Sequence, residues 1–181
     1  LPDGGWCIHS SGPSEVNATV RAYTALKLAG LDTSSSPMVR ARTRALALGG
    51  LQGCNSYTKI NFSLFGLYPR QYAPSVPPEI MLVPGNLLYE MSSWTRAIIV
   101  PLTIVQALAG TRPVPQGFTI EELFLTGAKL ALPKRDRFST LFVHADRLVK
   151  LWERRGSEAV RRTAIQKAEE WMLPRFRFSD G

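Results

Sequence analysis

Helix punctuation constrains this chain more than any other feature. Apolar residues recur at intervals of three and four. Glycine or proline closes each such run, and Ser, Thr or Asn opens several of the next. Strand-type alternation is poor. Ser14 is placed to cap a helix running to about Ala29, with Val16, Val20, Tyr23 and Leu26 on one face and Gly30 as its stop. Ser36-Pro37 opens a second helix carrying Met38, Ala41, Ala45 and Leu48, ended by Gly49-Gly50. Asn55 caps a third with Tyr57, Ile60, Leu64 and Phe65, stopped by Gly66 and Pro69. A long helix is expected from about Leu87 to Ala109, kinked by Pro101. Thr119-Ile120-Glu121-Glu122 fits a capping box for a short helix. Phe138 to about Arg155 is another helix, and Ser157 caps the last, which runs to about Met172 before Pro174. These seven segments predict an all-α chain, one helical domain over residues 1–181, built as stacked helical hairpins or an α/α barrel.

Between the third and fourth helices lies "YPRQYAPSVPPEIMLVPG", Tyr68 to Gly85. Its five prolines forbid regular structure over most of it. It is rich in large apolar groups, so it is expected to pack down. Glu79, directly after Pro77-Pro78, suits a helix N-terminus and is read as a structural cap rather than an acid–base group.

Composition excludes several classes. With 45% hydrophobic and 20% charged residues the chain is globular material, not a disordered one. Cys7 and Cys54 show no metal or redox spacing, which fits a reducing compartment, and His9 and His144 are too few for zinc chemistry. Phosphate loops, Ser/His/Asp ordering and Asp-rich acid motifs are absent from the sequence. The longest low-charge stretch, Ala97 to Gly110, is 14 residues long, short of the roughly 20 that span a bilayer. A formal net charge of +8 favours acidic partners.

Four segments stand out. "PDGGW" is a sharp turn at Asp3-Gly4-Gly5 followed by Trp6, placed to stack on a neighbouring helix end. Such a turn at the first residues, and a similar one begun at Ser179-Asp180-Gly181, suggest a piece of something larger. "YEMSSWTRAIIVP" puts Met91, Trp94, Ile98 and Pro101 near one helical face, which suits either a core stripe or the lining of an apolar cavity. In "PKRDRFSTLFVHADRLVKLWERR", Phe138, Leu141, Phe142, Ala145, Leu148, Val149 and Trp152 recur at helical spacing, with seven Lys and Arg around them. That describes a helix lying in a membrane interface, or an amphipathic helix facing a core. The cations come with no nucleic-acid recognition motif, so no nucleic-acid partner is expected.

"PDGGW", "GPSEVNATVRAYTALKLAG", "VPPEIMLVP", "SSWTRAIIVPL" and "AEEWMLPRF…SDG" together resemble, in order, the bacterial squalene–hopene cyclases, over essentially the whole chain. The family repeats Gln…Gly-x-Trp turns that tie neighbouring helices. "LPDGGW" is similar to the tail of one such turn and "FSDG" to the head of the next. The resemblance implies that this chain is a fragment of the smaller of two α/α-barrel domains. It implies a parent that folds squalene, or a related isoprenoid lipid, in an apolar cavity and cyclises it to hopene or hopanol. An Asp-x-Asp-Asp acid starts that reaction in the family. The motif is absent here, so no catalytic residue, cofactor or metal is assigned and the chain alone is expected to be inactive.

The same resemblance implies that Trp94 lines the cavity wall, with Met91 and Ile99 near the substrate channel. It also implies that Phe138, Leu141, Phe142, Leu148 and Trp152 contact the membrane, making the protein a peripheral, monotopic one on the cytoplasmic side. Exposed barrel faces leave a homo-oligomer open. The alternative is a non-enzymatic helical domain that binds a membrane surface.

Overall fold

The computed structural model describes residues 1–85, 87–108, 112, 114–127, 130, 146–152 and 155–176. Helices and turns account for all the regular structure among them, as the punctuation requires. They fall into two compact units. The first holds Leu1–Ala73 and Thr111–Leu132, the second Pro74–Gly110 and Pro133–Gly181.

The first unit begins with the opening turn. The Asp3 carboxylate accepts from the Gly5 amide at 3.0 Å, the Ser14 hydroxyl at 2.7 Å and Arg44 Nε at 2.9 Å. The Ser14 and Gly5 hydrogen bonds, helped by Arg44, hold that carboxyl below its usual range. Gly4 has φ +85°, and a Cβ there would lie 2.7 Å from the Arg40 backbone, so only glycine lets the turn sit this close. Trp6 is half-buried. Its amide donates to Thr19 Oγ1 at 3.0 Å and its carbonyl accepts from Glu15 at 2.8 Å.

Helix α1 spans Val16–Leu28. Ser14 is not its cap, because its hydroxyl is committed to Asp3. Glu15 caps instead, accepting the Ala18 amide at 2.9 Å, and its negative charge suits a helix N-terminus. Gly30, at φ +88°, ends the helix as expected. Helix α2, Ser36–Ala47, has Pro37 in its first turn, with Ser35 rather than Ser36 at the cap position. A short α3, Gly50–Gly53, stands where only a stop is expected. Gly50 is in the left-handed region, and a Cβ on it would come 2.5 Å from the Leu123 carbonyl oxygen. Helix α4, Ser56–Leu64, is capped by Asn55, which accepts the Thr58 amide at 2.9 Å.

Residues 118–125 are held by three side chains. Tyr23 and Lys27 donate to Glu122 at 3.0 and 2.6 Å, while Gln52 pairs with both the amide and the carbonyl of Leu125 at 3.0 and 3.1 Å. The capping box expected at Thr119 does not form. A 3-10 turn, Glu121–Leu123, stands there with Ile120 at the cap position, since Glu122 is spent on Lys27 and Tyr23. Val20, Tyr23, Met38, Leu51 and Leu123 are fully buried in this unit.

In the second unit the proline-rich segment packs down as expected, because freed backbone amides find side chains. Ser75 donates to Asp146 and Val76 to Gln106, both at 2.8 Å, and Glu79 pairs with Arg161 at 3.4 Å. Glu79 lies in the first turn of a 3-10 helix, Pro78–Leu82. The long helix expected from Leu87 is broken into α5, Leu87–Glu90, and α6, Ser93–Ala107. Ser92 causes the break, since its hydroxyl accepts the Thr95 amide at 3.2 Å and so starts a new helix. Helix α7 covers residues 146–152 and α8 runs Glu158–Phe176, passing through Pro174 instead of stopping before it. Leu88, Val100, Ile104 and Ala168 form the core, with Met81, Trp171 and Met172 against it. Among the described residues no helix is long and apolar enough to cross a membrane.

Candidate functional site

Helix α6 has two apolar faces, and only one is needed for packing. Val100, Thr103 and Ile104 are buried. Trp94, Ile98, Val105 and Leu108 follow one another at steps of four, seven and three, so they lie along a second face. They are 76%, 39%, 42% and 66% exposed. Half-buried Pro101 falls in the same row. It lacks the amide that would bond the Ala97 carbonyl.

The Ser-Ser-Trp-Thr-Arg sequence fixes where that face begins. Ser92 and Thr95 hydroxyls are 2.8 Å apart across the first turn. Arg96 reaches back and donates to the carbonyls of Tyr89 at 3.1 Å and Met91 at 2.6 Å, and its guanidinium lies 5.1 Å from the centre of the Tyr89 ring. The carbonyls left open at the end of α5 thus gain a cation. Ser92, Thr95 and Arg96 are all engaged with neighbours in sequence, and the indole of Trp94 is left facing outward.

The three residues expected to line a cavity are not brought onto one surface of the helix. Met91 sits in the break between α5 and α6 and is half-buried. Ile99 is half-buried on α6, five residues from Trp94 and so roughly 140° around the helix. Ile98 shares the Trp94 face instead, as its spacing indicates. Val105 and Leu108 extend that face, and the same three-and-four rhythm carried one turn past Pro101 identifies them.

Helix α7 carries the second exposed apolar cluster. Leu148 and Trp152 are 69% and 45% exposed, with Leu151 beside them and Arg147 and Arg155 also exposed. Phe138, Leu141 and Phe142 lie outside the described residues. Asp146 anchors the helix: it accepts the Ser75 amide and pairs with Lys150 at 2.5 Å. The Trp152 ring leaves no room beyond glycine at 156, where a Cβ would be 2.8 Å from the indole.

Chemically, these surfaces present hydrocarbon and π-faces, and among the described residues no Asp, Glu, Cys or His falls in either apolar row. An indole face attracts positive charge, and an apolar surface offers a cation no nucleophile. The arrangement can therefore contact a greasy or cationic species along an apolar row.

Residues 1–181 match the family described as squalene-hopene cyclase N-terminal domain. The chain is 32% identical over 181 residues to the squalene–hopene cyclase of Alicyclobacillus acidocaldarius, covering 96% of this chain and 28% of that protein. It is 37% identical over 125 residues to the squalene–hopene cyclase of Zymomonas mobilis, covering 67% and 19%. It is 29% identical over 179 residues to the dammaradiene synthase of Dryopteris crassirhizoma, covering 95% and 26%. The chain thus spans less than a third of the length of these relatives.

Proposed function

Because the chain belongs to the squalene-hopene cyclase family by its match to the N-terminal domain, we propose that it is a fragment of a triterpene cyclase, part of the smaller α/α-barrel domain. In this reading α6 supplies part of the wall against which squalene, or a related isoprenoid lipid, is folded and cyclised to hopene or hopanol. That is an isomerase-type step of hopanoid synthesis, started by an acid outside this chain. Met91 and Ile99 flank the wall, and the opening turn belongs to a Gln…Gly-x-Trp repeat. One observation carries the proposal: α6 keeps an apolar row with Trp94 at its head after its own core face is filled. A carbocation cascade needs such a surface, where π-faces offset charge and water is excluded.

The test is complementation. Incubated with squalene, the pure chain yields no hopene. Combined with the Asp-x-Asp-Asp-bearing remainder of the Alicyclobacillus acidocaldarius cyclase, it restores turnover, and Trp94→Ala in that combination lowers it. Hopene from the chain alone, or restored turnover indifferent to Trp94, defeats the proposal.

A second reading is favoured by α7. Leu148, Leu151 and Trp152 beside exposed arginines suit a helix resting in an anionic bilayer surface. We propose that this helix, with Phe138, Leu141 and Phe142, makes the chain peripheral and monotopic on the cytoplasmic side, in keeping with a lipid substrate. Vesicle binding without any effect on turnover would favour a membrane-binding domain that is not part of an enzyme. Self-association through the exposed apolar faces would show as a concentration-dependent mass in sedimentation.

A further inference from the structure

The first unit carries a groove that the proposed function does not use. It lies between α1 and α4 and encloses about 480 Å³, within the range of small-ligand sites. Thr24 and Phe62 in its lining are buried, while Leu28, Tyr57 and Phe65 line it and remain 45%, 46% and 44% exposed. On α1 the lining begins at Arg21 and ends at Leu28. The α1 lining therefore extends about two helical turns, about 10.5 Å, from the Arg21 cation to Leu28.

Arg21 is held in place by neutral groups. Its Nη2 donates to Thr58 Oγ1 at 2.8 Å and its guanidinium lies 5.2 Å from the centre of the Tyr57 ring. Among the described residues no carboxylate is within 4.0 Å of it. Glu15 is the acid that feels its charge, and that carboxylate is occupied by the Ala18 amide and Asn17. A planar guanidinium fixed by a hydroxyl and an aromatic face keeps donors for an incoming carboxylate.

We infer that this groove binds one long-chain aliphatic carboxylate, with its head on Arg21 and its chain running along α1 toward Leu28 and Phe65. Three features select that class over others. The lining is mostly apolar, with Thr24 and Asn61 as its neutral polar members, a single cation, Arg21, stands at one end, and the net charge of +8 draws anions. The inference does not depend on the cyclase reading.

Titration calorimetry of the full chain with palmitate, kept below its micelle concentration, tests it. One palmitate is expected per chain, bound about tenfold more tightly than hexadecanol, the neutral counterpart. Arg21→Met removes that preference and leaves hexadecanol unchanged. Thr58→Val, which keeps the charge and loses only its hydrogen bond, retains most of it. Ala25→Trp, which fills the groove from its exposed rim, abolishes both, with circular dichroism melts showing the variants folded. Equal affinity of the unmodified chain for palmitate and hexadecanol overturns the proposal without recourse to any variant. So does palmitate binding that survives Ala25→Trp, or a dimer, seen by sedimentation, that this substitution dissociates while no palmitate is taken up.

Discussion

The two units differ in how much of their large apolar material they seal. In the first, Tyr23, Met38, Leu51, Ile120 and Leu123 are sealed, at 0–1% exposure. In the second, Trp94, Leu108, Leu148 and Leu173 stand 63–76% exposed, and the core is a smaller set around Val100 and Ala168. The same chain thus uses similar hydrophobic material for cohesion in one place and for display in another. Exposed apolar side chains grouped in this way are the kind that partners and ligands cover. Outside the groove beside Arg21, the first unit is therefore read as a frame and the second as a working surface.

The sharpest way to break that contrast is to truncate one residue of each kind. Leu51→Ala removes a fully buried side chain and should destabilise the chain by about 2–5 kcal/mol. Trp94→Ala removes a larger one yet should move stability by no more than about 0.5 kcal/mol, because little of it is packed. Urea denaturation of both variants measures the difference. A large loss from Trp94→Ala would mean that its face is covered by the chain itself.

Much of the frame is legible in the residues alone, since caps and stops are local. Asn55, Gly30 and Pro37 act as their chemistry predicts. Expectation and structure part where two local signals compete. Ser14 and Glu15 both suit an N-cap, and a distant partner, Asp3, decides by taking the serine. Ser92 lies inside an apolar run and reads as a helix residue until its hydroxyl is seen to start a new one. The site is legible in rhythm and not in direction. Trp94, Ile98 and Pro101 fall in one row by spacing alone, but a helical row cannot tell whether it faces a core or the outside. Ile99 stands roughly 140° around the helix from Trp94, a direction that the resemblance alone does not give.

A next test sharpens the idea of a frame. Gln52 pairs with both backbone groups of Leu125. Gln52→Ala leaves that amide and carbonyl without their partner in a partly buried place, which should cost about 1–3 kcal/mol. Hydrogen exchange at Leu125 should quicken in step. Unchanged stability would show that residues 118–125 are held by the bonds from Tyr23 and Lys27 instead.

On the display side, binding to vesicles of phosphatidylglycerol and phosphatidylcholine should weaken about tenfold in Leu148→Glu or Trp152→Glu, since each removes roughly one buried apolar side chain from the contact. Arg40→Gln on α2 lowers the net charge by the same single unit and should do far less, as measured by flotation. Equal losses from all three would reduce the effect to bulk electrostatics.

The smallest effect tests the frame by pH. Burial acts to raise the Glu122 carboxyl, but hydrogen bonds from Lys27 and Tyr23, with the Lys27 charge, together outweigh it and hold the group below its usual range. A carboxyl depressed on folding contributes stability that is fully present above its unfolded value and fades as pH falls through its folded one. Glu122→Gln should therefore flatten the acid limb of the stability profile while leaving its shape near neutrality unchanged. At the other end Tyr23 is pushed up to about 12, chiefly by burial and then by its bond to Glu122. Its folded form holds the proton longer than the unfolded form, so stability should decline as pH rises from about 10 toward 12. Tyr23→Phe removes that decline together with the donor to Glu122. If the acid limb then flattens only when Lys27 is also neutralised, the lysine rather than the buried phenol secures residues 118–125, and the frame is held at its rim.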